Sequence, residues 1–597
     1  MSAQLMELGY VKDVNDDLHA HLAQPGVLDL EEPQNFIPLL SRFFDLKESN
    51  CKHVTLNHPL RLVGTHGREG HGKFRVEVED QKGHRRHTTA FFKFSPILDP
   101  LRYMTGRYGP STEALLRLPY VDSNGGHSKS RGGNNSAYVD GFFSYLTAGL
   151  LHSHGFLHGL DSYACFLAKK NNFLVDVADD MDHLASSEFF SQHEGELFHF
   201  EASARARFSQ GLGSGKRRTP LVMTAADLEP VEAEEASSAS SMQDLESIFC
   251  PPEDPLAQAP GLELVFAGNV GGKPLAGARS ERDSSSCSSR SSGTDEDGGD
   301  ESVSDGCPQD ESQSERGSVS DAGTMSSMGE DSVFLSVKEF PVCAIALESC
   351  EATLDQLMVR KGLKPEEWES AMFQVVASLL GYKRCFRLTH NDLHTNNVMY
   401  KHTDKQYLCY KINGQLYRVP TFGRLYKIID FGRSIYEFRG ERLCSDSFGK
   451  HGDAATQYNC EPFMNPKRPR LDPNPSFDLC RLGCSLYDHL MDEYEGSEFR
   501  PPAVVEMMMN WCTDDKGRNI MYKSSGVERY PDFKLYKMIA RTVHNHTPEK
   551  ALQTPCLQRY RATRAEVGKK TRVMVLDSLP DYTAAPIVAK EKPDLNE

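Results

Sequence analysis

The chain has 597 residues, a formal net charge of −17 and 39% hydrophobic content. An acidic excess of this size argues against general nucleic-acid binding while leaving room for a local basic patch, and no apolar run reaches the roughly 20 residues that span a bilayer. The N-terminus meets Glu7 and Asp13 early and lacks the basic-then-apolar order of a secretory signal. The 15 scattered cysteines, an odd number without framework spacing, point to free thiols in a reducing intracellular compartment, cytoplasm or nucleus.

In chain order, residues 1–50 read as an amphipathic helical extension. Between 53 and 94, β-branched and aromatic runs at 54–56, 60–63, 74–78 and 90–94 are separated by turn residues and predict strands. The glycine-rich stretch from Gly64 through Gly67 and Gly70 lies among them as a hairpin. In the run Phe91-Phe92-Lys93-Phe94 a single ammonium stands on a strand otherwise fit for a core, which is costly unless the charge is paired. Residues 99–134 predict a loop, and Asn135 is placed to cap a helix running through Leu151. His152, His154 and His158 follow it as a solvent-facing cluster. Strand-like alternation returns at 157–177.

From about 201 to 332 the composition changes. Residues 280–327 are dominated by Ser, Asp, Glu and Gly, and such a segment buries too little apolar surface to offset its ordering entropy. It predicts a disordered acidic insertion, with acid-flanked serines suited to phosphorylation or to partner proteins. Order resumes at Val333 with a strand ending near Leu347, Glu348 and Ser349, and an amphipathic helix follows over 365–380.

Two short blocks then carry the chemistry. The first is Leu388-Thr389-His390-Asn391-Asp392-Leu393-His394-Thr395-Asn396-Asn397, a polar loop running into an apolar strand. The second is Lys427-Ile428-Ile429-Asp430-Phe431-Gly432. A zinc site on His390 and His394 would need a helix and an intervening glutamate, and neither is present. Further on, Phe477-Asp478-Leu479-Cys480-Arg481-Leu482-Gly483 begins a helix, on which Cys480 and Cys484 read as core residues. The basic run 466–471 suits either nuclear import or a phosphate-facing loop.

These blocks resemble the protein-kinase superfamily, whose pattern is H-R-D-L-x-x-x-N followed by D-F-G. Residue 391 is Asn where regulated kinases carry an arginine that pairs with a phosphorylated loop. The block H-x-D-L-H-x-x-N is also similar to that of choline and aminoglycoside kinases and of haspin-like kinases. The 92–100 stretch and the Ile429-to-Ser434 block look like uncharacterised kinase-like proteins of large DNA viruses.

The resemblance implies an α+β, two-lobed kinase-like fold with a small β-rich lobe, a large helical lobe and a long acidic insertion. The implied boundaries are 51–200 for the first part of the small lobe, 201–332 for the insertion, 333–350 for the rest of that lobe and the hinge, 351–580 for the large lobe and 581–597 for the tail. It implies an ATP-dependent phosphotransferase, a divergent Ser/Thr protein kinase using ATP and Mg2+ on a protein substrate. The alternatives are a small-molecule kinase or a scaffold without turnover.

By that resemblance Asp392 accepts the proton of the acceptor hydroxyl, Asn397 and Asp430 bind magnesium, and Lys93 contacts the ATP phosphates. His390 braces the loop, Asp478 braces it from within the large lobe, and Gly432 completes the Asp-Phe-Gly turn. The helix after Asn135 supplies the acid for Lys93, through Asp140 or, failing that, Glu113. Gly64, Gly67 and Gly70 lie over the phosphates or simply form a flexible surface hairpin. The backbone at Leu347, Glu348 and Ser349 holds adenine.

Overall fold

The computed structural model describes residues 8–12, 15–24, 27–109, 112–121, 126–200, 333–494 and 500–584. The expected acidic insertion, 201–332, lies outside the described residues.

A mixed α+β architecture is built on one six-stranded antiparallel sheet. Its strands are β1 (Leu30–Gln34), β2 (Leu60–Gly70), β3 (Lys73–Asp80), β4 (Arg85–Pro96), β5 (Ser162–Lys170) and β6 (Phe340–Glu348), with spatial order β1-β5-β6-β4-β3-β2. Every residue of β6 is buried, which is the continuous apolar run expected of a central strand covered on both faces. The period-two alternation divides it: Cys343, Ile345 and Leu347 join one core, while Val342, Ala344 and Ala346 join another on the opposite face.

On the first face lies helix α1 (Ser136–His154). The Asn135 side chain accepts from Ala137 N at its start, and Gly155 at φ 63° ends it. Gly141 brings helix and sheet together: a Cβ there would sit 2.6 Å from Cys165 Sγ. The helix-rich remainder contains α2 (Pro365–Phe386), α3 (Phe477–Tyr494) and α4 (Lys534–Thr542), with strands β7 (Val398–His402) and β8 (Arg424–Ile428) paired antiparallel beneath them. One continuous hydrophobic core joins α1, α2, α3 and the apolar side chains flanking the loop at 388–398.

The excursion at 201–332 separates β5 from β6. Its flanks are adjacent: Phe198–Phe200 pairs antiparallel with Phe334–Val337, placing Phe200 opposite Leu335. The chain therefore leaves and re-enters the described fold side by side.

Two expectations are corrected. Residues 1–50 are not a helical extension: the described part holds a strand at Tyr10–Lys12 paired with Val54–Leu56, one short helix at Asp16–Leu22, and the edge strand β1. The apolar residues that suggested a helix instead pack singly on the core, as where Phe43 stacks on Phe142 of α1 at 5.1 Å. At the boundary expected for the tail, 581, Tyr582 N donates to Cys385 O and its ring stacks on Phe386 at 5.5 Å; residues 585–597 lie outside the described residues.

The second correction concerns the histidines after α1. His152 is exposed, but His158 is fully buried, with Nδ1 2.8 Å from Tyr426 O and Nε2 2.9 Å from the Tyr410 hydroxyl. Burial holds the pKa of His158, and likewise that of His58, down to about 4 against an ordinary 6.5. Between about pH 6.5 and 4 the unfolded chain takes up protons that the folded chain refuses, so stability falls as pH falls through that window and levels off below it. Each residue accounts for on the order of 3 kcal/mol. Urea unfolding at pH 7, 5.5 and 4.5 checks this, and unchanged midpoints would contradict it.

Candidate functional site

Lys93 on β4 lies opposite Ile345 of β6 and shares its face of the sheet, toward α1. Phe92 and Phe94 point into the other core. The lysine is only 6% exposed, and its Nζ lies 2.7 Å from Asp140 Oδ2 and 2.9 Å from Asp430 Oδ1. The short Asp140 side chain reaches it because Gly141 lets the helix backbone lie close against the sheet. Its second oxygen, Oδ1, accepts from Phe431 N at 2.9 Å. One buried carboxylate thus ties α1, the strand lysine and the Asp-Phe-Gly turn together. The fallback Glu113 has its side chain outside those described.

Asp430 adopts φ 63°, a left-handed conformation that aspartate tolerates better than most residues. Gly432 N donates to its Oδ1 at 3.3 Å. Burial pushes the Asp430 carboxyl up, but the Lys93 ammonium outweighs this and holds it below the usual range. Phe431 is locked in the core, its ring 4.5 Å from Phe143 of α1 and 5.4 Å from His390.

The loop from His390 to Asn397 is fastened from three sides. Asp478, on α3, accepts His390 N at 2.9 Å and Asn391 N at 2.8 Å through separate oxygens. Two turns along the same helix, Ser485 Oγ accepts Thr395 N at 3.2 Å. Arg481 stands between them in sequence, so residues at i, i+3 and i+7 present one stripe to the loop. The His390 ring has Nε2 3.0 Å from Ile429 O and accepts Asp392 N at Nδ1, 3.3 Å away; both nitrogens are spent within the fold.

Asn391 is buried, with φ 65°. It donates to Thr389 O and Arg433 O and accepts the Tyr458 hydroxyl at 2.8 Å. The segment after Asp-Phe-Gly is therefore anchored directly to this loop. A second anchor is Asp446, which accepts Ser136 N at the start of α1 and pairs with Lys129 at 2.7 Å.

Asn397 Nδ2 donates to Asp392 O at 2.9 Å, and Ile429 N donates to Asn397 O at 3.0 Å. The residue preceding Asp430 is thus stitched to Asn397. These two side chains offer hard oxygen donors, and the Asp430 side chain is about one-third exposed, 32%, a donor set suited to magnesium.

Asp392 is surrounded by groups that favour its charge. Burial pushes its carboxyl up, but Arg433, His394, Arg481 and His390 prevail and hold it at about 2. Tyr536, on α4, donates its hydroxyl to Asp392 Oδ1 at 3.1 Å. Burial in turn holds His394 at about 4. At neutral pH the site combines an ionised carboxylate with a neutral imidazole.

Gly64, Gly67 and Gly70 lie in the expected hairpin, on its first strand β2, paired to β3 across three irregularities. The turn itself is His71-Gly72, where Gly72 at φ 62° leaves no room for a Cβ against Phe91, 2.5 Å away. At the end of β6, Glu348 N donates to Asp161 O at 3.0 Å, so this amide is already paired. Its carboxylate is buried against Lys427, and against Lys401 at 3.1 Å. The Coulomb attraction of the two lysines outweighs burial and holds Glu348 below its usual pKa. Lys427 is flanked by Tyr426 and Ile428 on a strand that also carries Arg424, a weaker form of the signal that marks Lys93. Arg481, Ser485, Asp446 and Tyr536 had no such local signal.

Among the described residues no helix is long and apolar enough to cross a membrane. No family model matches the chain. Among curated proteins, it is 32% identical over 111 residues to the serine/threonine-protein kinase haspin of Mus musculus, covering 19% of this chain and 14% of that protein. It is 33% identical over 111 residues to the haspin of Bos taurus, covering 19% of this chain and 13% of that protein. The chain thus spans about one-seventh of the length of the curated relatives it matches. These relatives lend no support to the likeness to kinase-like proteins of large DNA viruses, and the similarity they carry is a partial, kinase-like relationship.

Proposed function

We propose that this chain is an ATP-dependent phosphotransferase with a two-lobed kinase-like fold, acting as a divergent serine/threonine protein kinase. The observation that carries the reading is Lys93, which bridges Asp140 of α1 and Asp430 of the Asp-Phe-Gly block at 2.7 and 2.9 Å. A strand lysine paired with the helix acid, beside the metal-binding aspartate, is the arrangement phosphoryl transfer requires in protein kinases. Counting from the glycine-bearing strand β2, Lys93 lies on the third strand.

In this reading Asp392 orients the acceptor hydroxyl and takes its proton. Asn397 and Asp430 would hold magnesium, which would supply charge neutralisation at the ATP phosphates, and Lys93 would bind those phosphates. Gly64, Gly67 and Gly70 let the backbone of β2 approach the nucleotide, and the chain at 347–349 borders adenine. Asp140, His390, Gly432 and Asp478 hold these parts in place. The small lobe runs over 51–200 and 333–350 and the large lobe over 351–580. Because Asn391 binds Tyr458 directly, the segment after Asp-Phe-Gly is held without an arginine that awaits a phosphate.

The test is incubation of the full chain with labelled ATP and magnesium, against a serine/threonine peptide library and against a metabolite pool. Label is expected in peptides. Label only in small molecules would replace the protein-kinase reading with a metabolite kinase. No label, and no magnesium-dependent rise in melting temperature with ATP, would leave a scaffold.

A further inference from the structure

Tyr536 lies 144 residues beyond Asp392, on a helix outside all the motif blocks. Its hydroxyl donates to Asp392 Oδ1 at 3.1 Å and accepts Arg481 Nε at 2.8 Å. The ring cannot turn freely. Guanidinium groups of Arg481 and Arg433 stand 5.2 and 5.8 Å from its centroid, and Phe533 stacks on it at 5.2 Å. Arg481 is buried on the α3 stripe that also carries Asp478, and Arg433 is ion-paired with Asp453. The hydroxyl is therefore fixed by the large-lobe core independently of the loop it touches.

A carboxylate accepts at two oxygens and rotates about one bond. With Oδ1 engaged from a fixed point, that rotation is set, and Oδ2 is the oxygen left for a reacting hydroxyl. We propose that Tyr536, held by Arg481, is a positioning residue that sets the Asp392 carboxylate with one oxygen turned to the acceptor hydroxyl. The inference rests on the kinase reading of Asp392. Misplacing a reacting group by about an ångström costs up to roughly 100-fold in rate, so a fixed donor at this point has a large effect on turnover and little on nucleotide binding.

The experiment compares the full-length wild type with Tyr536→Phe, Asp392→Asn and the double variant, using magnesium-ATP and the library peptide the wild type phosphorylates best. Tyr536→Phe keeps the ring among its neighbours. Its kcat is expected to fall about 10- to 100-fold with KM for ATP within about twofold, and to cause no further loss on the Asp392→Asn background. Arg481→Gln, which loosens the hydroxyl without deleting it, is expected to give the same split at smaller size. An unchanged kcat, losses that multiply in the double variant, or a faster Tyr536→Phe enzyme would overturn the inference. The last outcome would mean that the tyrosine occupies the acceptor's place. A wild type without phosphotransfer would overturn the kinase reading itself, and is told apart by its silence before any substitution.

Discussion

Asp392→Asn is expected to lower phosphoryl transfer about 10²–10⁴-fold, the usual worth of positioned acid–base assistance, while magnesium-ATP binding stays near the wild-type value. At about 2, its pKa leaves Asp392 fully ionised at neutral pH, an acceptor at both oxygens. Asparagine retains one acceptor and turns a donor toward either the Tyr536 hydroxyl or the incoming substrate. The groups proposed to bind the nucleotide are tied together elsewhere, since Lys93 bonds Asp140 and Asp430. The decisive measurement is single-turnover transfer alongside the ATP-induced shift in melting temperature. Wild-type turnover in this variant would remove Asp392 from the reaction.

Asp430→Asn should give the opposite split. A hard cation loses an anionic oxygen ligand, and affinity for magnesium-ATP should weaken by no less than the roughly 10–100-fold typical of losing even an outer-shell partner. Without nucleotide, Lys93 still has Asp140 at 2.7 Å, so the unliganded melting temperature should change little. The expected signature is a normal melt whose rise with ATP and magnesium is lost at concentrations that saturate the wild type. An Asp430→Asn chain that binds magnesium-ATP as tightly as the wild type would sink the metal assignment. Together the two variants distinguish a nucleotide-binding defect from a transfer defect at residues only 38 positions apart, 430 against 392.

Features written into contiguous residues were legible without coordinates. The strand runs between 54 and 94 and the amphipathic helix after 365 were readable from local patterns, and the mixed α+β class came with the kinase resemblance. The Asn135 cap was readable because a cap is a matter of two or three neighbouring residues. Lys93 drew attention because a lone ammonium on a core strand requires a partner, and the fold supplies two. The blocks at 388–400 and 427–432 could be recognised because the loop and turn conformations they need are local.

Tertiary structure decided what those residues reach. The adequacy of Asp140, a shorter acid than the lysine's usual partner, depends on Gly141 bringing a helix close to a strand 24 residues away, at Cys165. The first 50 residues contribute an edge strand because pairing with β5 satisfies their backbone there, an outcome their apolar spacing does not encode. The register of the glycine hairpin, shifted at three points against β3, is likewise a matter of pairing. Glu348 met Lys401 and Lys427, and Asp392 met Tyr536, only after chain segments 53, 79 and 144 residues apart were brought together. A sequence records each side chain's chemistry and its immediate neighbours. Which distant charges and donors share a low-dielectric interior is set by packing, and there that proximity determines their energies.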